Sequence, residues 1–345
     1  MGNKIKNRDI GIDLVKVLAI IGVIIIHLCD YEAKVGTSDW TWSVFWGSIT
    51  RSSVPLFLMA SGAVMLNPDK EIPVKKLYLK NILRILVAMF VWGVFYKVYH
   101  LFEYDALTPE LFFHSIREVL LFDQEFHFYY MHIILIVYMF LPITRIIIKN
   151  ATEKQLRYLL LLWFIFAIVY PTVQPYWLFG ELRGMVPQWG INLTYASIGY
   201  GILGYYLKKY SIPKGMDIIC TILGFLFIFI GTYVVSVMKG ELYQRFLEGI
   251  SIGVALLGFG IFSLANKVKI KSEIIKNIIN WLSKASFCVY LCHMLIIYFL
   301  KRIGINIGFA FYGISIPLLS IMIFILSNAV YAILSHIPIV KKWII

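Results

Sequence analysis

The sequence has few charged residues for its length. Of 345 residues, 15% are charged and 60% are hydrophobic, whereas a soluble domain is typically about 25% charged and about 45–50% apolar. So little polar surface cannot cover a water-soluble globule of this size, which excludes a soluble enzyme and a disordered protein. The apolar residues form many runs of about 20 residues, the length that a helix needs to cross hydrocarbon. The sequence therefore predicts an integral membrane protein.

Cysteines are scarce, and two common catalytic motifs are absent. Cys29, Cys220, Cys288 and Cys292 lie in or beside apolar runs without metal-ligand spacing. They indicate neither a disulfide scaffold nor a zinc site. The sequence contains no Walker phosphate-binding loop and no HExxH zinc-protease motif, so ATP hydrolysis and zinc proteolysis have no support.

Acidic residues are also outnumbered, with 19 Asp and Glu against 32 Lys and Arg and a net charge of +13. The basic residues form short clusters between apolar runs, as the positive-inside rule requires of cytoplasmic segments. Roughly three times as many of them lie on the side of the N-terminus as on the other side. This asymmetry predicts that both termini are cytoplasmic, and it argues against nucleic acid as a partner.

The long apolar runs predict helices, because a backbone in hydrocarbon must satisfy its own hydrogen bonds. No alternation typical of a membrane β-barrel is seen. The predicted fold class is therefore all-α, a bundle of about ten transmembrane helices. We expect one transmembrane domain over residues 1–345 without an appended soluble domain. The predicted spans are 12–30, 43–66, 82–102, 128–148, 156–173, 190–208, 217–238, 246–265, 281–300 and 311–335.

The first predicted span carries three ionisable residues, Asp13, Lys16 and His27. Lys16 and His27 lie within about 20° on the helical wheel and about 16 Å apart along the axis. Asp13 lies one turn from Lys16, where an ion pair can form. Ionisable side chains inside a span usually face a cavity and mark a functional site. The alternative is that Asp13 and Lys16 snorkel to the interface and that His27 is a buried hydrogen-bonding residue.

Basic residues in or beside the second and third spans are further candidates. Arg51 could hold an anionic group or compensate a buried acid, while Pro55 is expected to bend its helix and Gly62 to allow close helix approach. Lys80 and Arg84 lie four residues apart on one helical face, where they could grip the phosphates of a cytosolic donor. The alternatives are that Arg51 snorkels to the membrane interface, that Gly62 serves only helix packing, and that topology alone explains the basic cluster of Lys80 and Arg84.

Polar residues of three later segments complete the candidate set. His127 and Tyr130 open the fourth predicted span, where Tyr130 also fits an interfacial aromatic belt. Tyr290 and His293 lie in the ninth span, and Glu181 lies in a loop that could line a sugar-binding cleft. His127 and His132 point about 140° apart and cannot form a metal pair on one helix face.

Four motifs, in family order and spread over nearly the whole chain, resemble the membrane acyltransferase-3 family. The first, from Arg8 to His27, has the family's pattern of a basic residue, ten residues and a histidine, with Lys16 where arginine is common. The sequence departs further from the family at its Arg-x-x-Arg pair. Asn81 stands at the position of the first arginine, three residues before Arg84, and Lys80 beside it could substitute for that arginine. The other three motifs run from Arg51 to Gly62, from His127 to Pro142 and from Ser286 to His293.

The resemblance implies transfer of an acyl group, usually acetyl, from cytosolic acyl-CoA to a hydroxyl of a surface polysaccharide or glycolipid at the plasma membrane. His27 is then the expected general base, with Asp13 and Lys16 on the same helix face. Lys16, Lys80 and Arg84 would bind the anionic CoA, and Arg51 would stabilise developing negative charge. Acyl-CoA is expected as a co-substrate and no tightly bound cofactor or metal is expected.

The expected partners are acyl-CoA, a surface or lipid-linked glycan acceptor and membrane lipids. For His127, Tyr130, Glu181, Tyr290 and His293, acceptor binding is expected, with helix packing as the alternative for the histidines and Tyr290. Two other functions stay open on the sequence. One is a transporter or flippase for a glycolipid or small metabolite, and the other is a structural subunit of a polysaccharide assembly complex.

Overall fold

The computed structural model describes residues 8–176, 180 and 190–345, and every regular element in these ranges is a helix. We number the helices in chain order. They are α1 (Ile10–Leu28), α2 (Ser38–Thr50), α3 (Ser53–Met65), α4 (Val74–Glu103), α5 (Pro109–Leu120), α6 (Phe126–Asn150), α7 (Glu153–Val173), α8 (Leu193–Lys209), α9 (Met216–Lys239), α10 (Ile252–Lys267), α11 (Glu273–Arg302), α12 (Tyr312–Leu334) and α13 (Pro338–Trp343).

Eight helical stretches of the described chain are long and apolar enough to cross a membrane. The remaining two predicted spans have shorter counterparts: α8 has 17 residues, and the span 43–66 is divided between α2 and α3. The prediction of an all-helical membrane protein is confirmed. The count of ten crossings and the cytoplasmic termini remain predictions.

Helix α1 lies at the centre of the bundle, where it packs against α3, α10, α11 and α12. Its residues are apolar on most faces, as expected of a helix buried all round. Small residues permit the close approach, since a Cβ on Gly22 would meet the Ser53 Oγ at 2.1 Å. Because α1 touches so many neighbours, its polar residues are held at fixed heights in the bundle.

The second predicted span is interrupted at Arg51 and Ser52, and the chain starts a new helix at Ser53. We expected a bend at Pro55, but Pro55 is the third residue of α3. The first turn of a helix has no internal partner for its N–H groups, so a proline there removes no hydrogen bond. The break precedes the proline and leaves Arg51 at the junction.

Helices α3 and α8 pack backbone to backbone. A Cβ on Gly62 would lie 2.0 Å from the main-chain oxygen of Gly201, whereas a Cβ on Gly201 would have no neighbour closer than 3.8 Å. Gly62 is therefore required by the close approach of the two helices, as expected of small residues between membrane helices. Gly201 faces the same interface but has room for a methyl group.

This difference predicts opposite results for two matched substitutions. Gly62→Ala should lower the free energy of unfolding by about 1–3 kcal/mol, because the added methyl group overpacks a backbone contact. Gly201→Ala should leave stability unchanged or slightly raised, since alanine favours the helix. Thermal unfolding of the purified variants in detergent measures both. Equal melting temperatures for the two variants would contradict the predicted close approach.

Candidate active site

Two cavities lie between the helices, and together they contain most of the predicted site residues. The larger, about 840 Å³, lies at the end of the bundle where α1 begins. The smaller, about 350 Å³, lies towards the end where α1 finishes. Helices α1, α3, α6 and α11 contribute side chains to both. Tyr290 is the single described residue that lines both cavities.

The larger cavity, called the basic cavity here, is lined by cationic side chains, and no acidic side chain of the described residues lines it. Its excess of positive charge fits a ligand with several phosphate groups. Its basic residues are Arg8, Lys16, Lys80, Arg84, Lys284, Lys341 and Lys342.

Lys80 and Arg84 line the basic cavity together, as their spacing predicted. A widened helical turn, Leu77–Ile82, contains Lys80, and such turns are frequent at functional sites. The Arg84 guanidinium lies 5.4 Å from the centre of the Phe287 ring and donates a hydrogen bond to the main-chain oxygen of Ile345. Arg84 is thus held in place, while the exposed Lys80 stands at the cavity wall.

Asp13 pairs with Arg8 and not with Lys16. Its carboxylate accepts hydrogen bonds from Arg8 at 2.7 Å and 2.8 Å and from the Ser283 hydroxyl at 2.6 Å. These contacts join the first turn of α1 to α11. Asp13 also lies about 21 Å from His27 along the helix axis, by the rise of 1.5 Å per residue. In this arrangement Asp13 anchors the wall of the basic cavity, and Lys16 faces the cavity itself.

The smaller cavity, called the histidine cavity here, is lined by His27 and His127. The centre of the His27 ring lies 6.2 Å from that of His127 and 5.3 Å from that of His293. His127 is buried, whereas His27 is half-buried and faces the cavity. The structure therefore brings together three histidines from separate motifs. In the described residues, no group of three His, Cys, Asp or Glu side chains is arranged to hold a metal ion.

His293 lies behind His27 and is fully buried. Its Nδ1 lies 3.1 Å and 2.8 Å from the main-chain oxygens of Val289 and Tyr290. A carbonyl oxygen only accepts, so we assign the proton to Nδ1, which leaves Nε2 as an acceptor. No other described group bonds to that Nε2. His293 thus presents a hydrogen-bond acceptor within the cluster that includes His27.

Arg51 and Tyr31 supply hydrogen-bond donors to the histidine cavity. Arg51 ends α2 at the helix break, and its Nε donates to the main-chain oxygen of Leu247. Burial raises the pKa of the Tyr31 hydroxyl well above its usual value, so this residue stays a neutral donor at physiological pH. The first turn of α3 faces the cavity through Val54 and Pro55, so the positive end of its helix dipole lies beside the cavity.

Two predicted substrate-binding residues lie at the boundary between the cavities. Tyr130 lines the basic cavity and packs against Tyr290, with ring centres 5.6 Å apart. The Tyr290 hydroxyl donates a hydrogen bond to the main-chain oxygen of His127. Glu181 lies outside the described residues.

Several cavity residues were not predicted as site residues from the sequence. Lys284, Lys341 and Lys342 counted there only towards topology, and Ser283 did not enter the candidate set. Their approach to Lys16 and Arg84 depends on α11 and α13 packing beside α1 and α4, contacts between segments far apart in sequence. The one available signal was the basic pair Lys341–Lys342 after the last predicted span, which topology alone explains.

The contacts of Asp13 predict a mainly structural effect of its loss. Asp13→Asn should lower the free energy of unfolding by about 1–3 kcal/mol, because it weakens charge-assisted hydrogen bonds of a buried carboxylate. The control is Glu273→Gln, which affects an exposed pair with Lys276 and should change stability by no more than about 0.5 kcal/mol. Thermal unfolding in detergent compares the two. An Asp13→Asn melting temperature equal to that of the control would contradict the anchoring role.

Comparison with known proteins gives one match. No curated protein and no solved structure matches the chain significantly. A sequence model of the acyltransferase-3 family, described as an acyltransferase domain, matches residues 9–336. The match includes the four helices that line both cavities. It covers nearly the whole chain, and the protein therefore belongs to the acyltransferase-3 family of membrane acyltransferases.

Proposed function

We propose that the protein transfers an acyl group, acetyl in the first instance, from cytosolic acyl-CoA to a hydroxyl group of a cell-surface polysaccharide or glycolipid. The observation that carries this proposal is the arrangement of the two cavities in a member of an acyltransferase family. A basic cavity at one end and a histidine cavity towards the other meet at Tyr290. Donor and acceptor can thus approach from opposite sides.

The basic cavity suits the CoA part of the donor, which carries three phosphate groups. Lys16, Lys80 and Arg84 line this cavity, and no acidic side chain of the described residues lines it. The positive-inside rule puts this end of the bundle in the cytosol, where acyl-CoA is made. We therefore assign CoA binding to this cavity, with the protein in the plasma membrane.

The distance between Lys16 and His27 suits a long, narrow donor. Along α1 the two residues are about 16 Å apart, and each faces a different cavity. The phosphates of CoA are joined to its thioester by an extended, flexible arm. A donor whose phosphates contact the Lys16 side would reach with its thioester towards His27. The acyl group would then be handed over without the whole CoA crossing the membrane.

Because a thioester is already reactive, the donor needs little further activation. The proposed reaction mainly needs a base for the acceptor hydroxyl. His27 removes the proton from the acceptor hydroxyl, and the oxygen attacks the thioester carbonyl. The carbon–sulfur bond of the resulting tetrahedral adduct then breaks, and the CoA thiolate takes the proton from His27. Arg51 and Tyr31 are the proposed donors to the negatively charged oxygen of the adduct.

The role of His27 predicts a large loss of turnover. His27→Ala should reduce acceptor-dependent CoA release by about 10²–10⁴-fold, the usual contribution of a general base, while acetyl-CoA binding is retained. The assay measures free thiol with purified protein in nanodiscs, acetyl-CoA and a surface-glycan extract. His132→Ala is the control, since His132 lines neither cavity.

Unchanged turnover in His27→Ala would exclude His27 as the base. If the wild type released no CoA and bound no acyl-CoA with any of several donors, acyl-CoA-dependent transfer would be rejected. Transport of a glycolipid or small metabolite would then be the function to test.

The basic cavity predicts a defect of a different kind. Lys16→Gln and Lys80→Gln should each raise the KM for acetyl-CoA about tenfold with a smaller change in kcat, because each removes a charge contact to phosphate. The effect should weaken at high salt. Lys276→Gln, an exposed change outside the cavity, should leave KM unchanged. A fall in kcat at constant KM would contradict donor binding there.

A further inference from the structure

Three aromatic side chains separate the two cavities. Phe57, Tyr130 and Tyr290, called the aromatic partition here, come from α3, α6 and α11. The ring centres of Phe57 and Tyr130 lie 5.9 Å apart, and those of Tyr130 and Tyr290 lie 5.6 Å apart. All three line the basic cavity, but only Tyr290 also lines the histidine cavity. Tyr290 is therefore the described side chain that forms part of the wall of both cavities, where they meet.

Tyr290 is held firmly in this position. It is 4% exposed, and its hydroxyl donates to the main-chain oxygen of His127. Its ring lies 6.0 Å from that of His127, centre to centre. Its own main-chain oxygen lies 2.8 Å from the Nδ1 of His293. Since both neighbours belong to the histidine cluster, a movement of Tyr290 would disturb the surroundings of His27.

The space beyond Tyr290 is small. The histidine cavity has a volume of about 350 Å³, at the lower end of the range of about 300–1,000 Å³ for small-molecule sites. In the proposed function it must hold both the acceptor hydroxyl and the acyl group. The acyl group leads the donor past Tyr290, and its chain must then fit between this ring and the acceptor.

We propose that Tyr290 limits the length of the acyl group that the protein transfers. This inference rests on the proposed function, with acyl-CoA entering through the basic cavity. With Tyr290 in place, a two-carbon acyl group fits beside the ring, whereas a longer chain collides with the ring or displaces the acceptor. Replacing the ring with a small side chain joins the two cavities. The added space lets a longer chain fold back beside Tyr130.

The test compares acyl donors of different length in one assay. Wild type, Tyr290→Ala and Tyr290→Leu are purified in nanodiscs, and CoA release from acetyl-CoA and octanoyl-CoA is measured with a surface-glycan extract. The ratio of the octanoyl rate to the acetyl rate should rise at least about tenfold in Tyr290→Ala, within the range that pocket shape gives to chain discrimination. Tyr290→Leu retains more bulk and should show a smaller rise.

Tyr96→Ala is the matched control. Tyr96 is also fully buried, donates its hydroxyl to a main-chain oxygen of α11 and packs 5.1 Å from the centre of the His127 ring. It lines neither cavity. Its loss should lower stability and both rates, but it should leave the ratio between the two donors unchanged.

The outcomes separate this inference from the proposed function. If wild type turns over acetyl-CoA and both Tyr290 variants keep its ratio, the inference is wrong and the proposed function stands. The inference is also wrong if Tyr96→Ala shifts the ratio as far as Tyr290→Ala does. If Tyr290→Ala fails to fold, the ratio of Tyr290→Leu decides. If wild type releases no CoA with either donor, both proposals are overturned.

Discussion

The cost of placing polar groups in hydrocarbon governs how this bundle is built. An ionised side chain inside a membrane needs a partner or a water-accessible cavity. Asp13 has Arg8 and Ser283 as partners, and the Nε of Arg51 bonds to a main-chain oxygen. Lys16 and His27 face cavities, and Arg51 also lines the histidine cavity. Asp13 is therefore an anchoring residue, whereas Lys16, His27 and Arg51 can contact a ligand.

Helix α1 fixes the positions of Lys16 and His27 in the bundle. It is packed on several sides by other helices, so neither Lys16 nor His27 can shift along the bundle without repacking the core. A helix rises 1.5 Å per residue, and eleven residues therefore set a separation of about 16 Å. In the proposed reaction this separation matches one ligand that spans two cavities.

The aromatic partition concerns a second physical constraint, the access of water to the site. In the proposed reaction, water entering through a continuous polar passage would compete with the acceptor for the thioester and would weaken electrostatic interactions at the site. Tyr290 lies where the two cavities meet, and its hydroxyl donates a hydrogen bond to the main-chain oxygen of His127. An aromatic ring is suited to this position because it fills a large volume with little conformational freedom. Closure and hydrogen-bond satisfaction are therefore combined in one residue.

The basic cavity shows how far a site can be spread along a chain. Arg8 precedes the first helix and Lys16 lies in it, Lys80 and Arg84 come from the fourth helix, and Lys341 and Lys342 come from the last. Each cluster by itself has the composition that topology demands of a cytoplasmic segment. Their convergence on one cavity is what favours a polyanionic ligand. The charge pattern of any single segment does not distinguish a basic cluster set by topology from one that binds a polyanionic ligand.

The sequence by itself determined that the chain is an all-helical membrane protein, because hydrocarbon accepts only backbones that satisfy their own hydrogen bonds. It also determined that Lys16 and His27 share a face of α1, because helical periodicity is local. Tertiary structure alone decided that Asp13 pairs with Arg8, that the helix breaks at Arg51 and not at Pro55, and that His293 lies beside His27. It also decided that Tyr290 lines both cavities. The positions of His293 and Tyr290 depend on contacts between helices far apart in sequence, which no local pattern encodes.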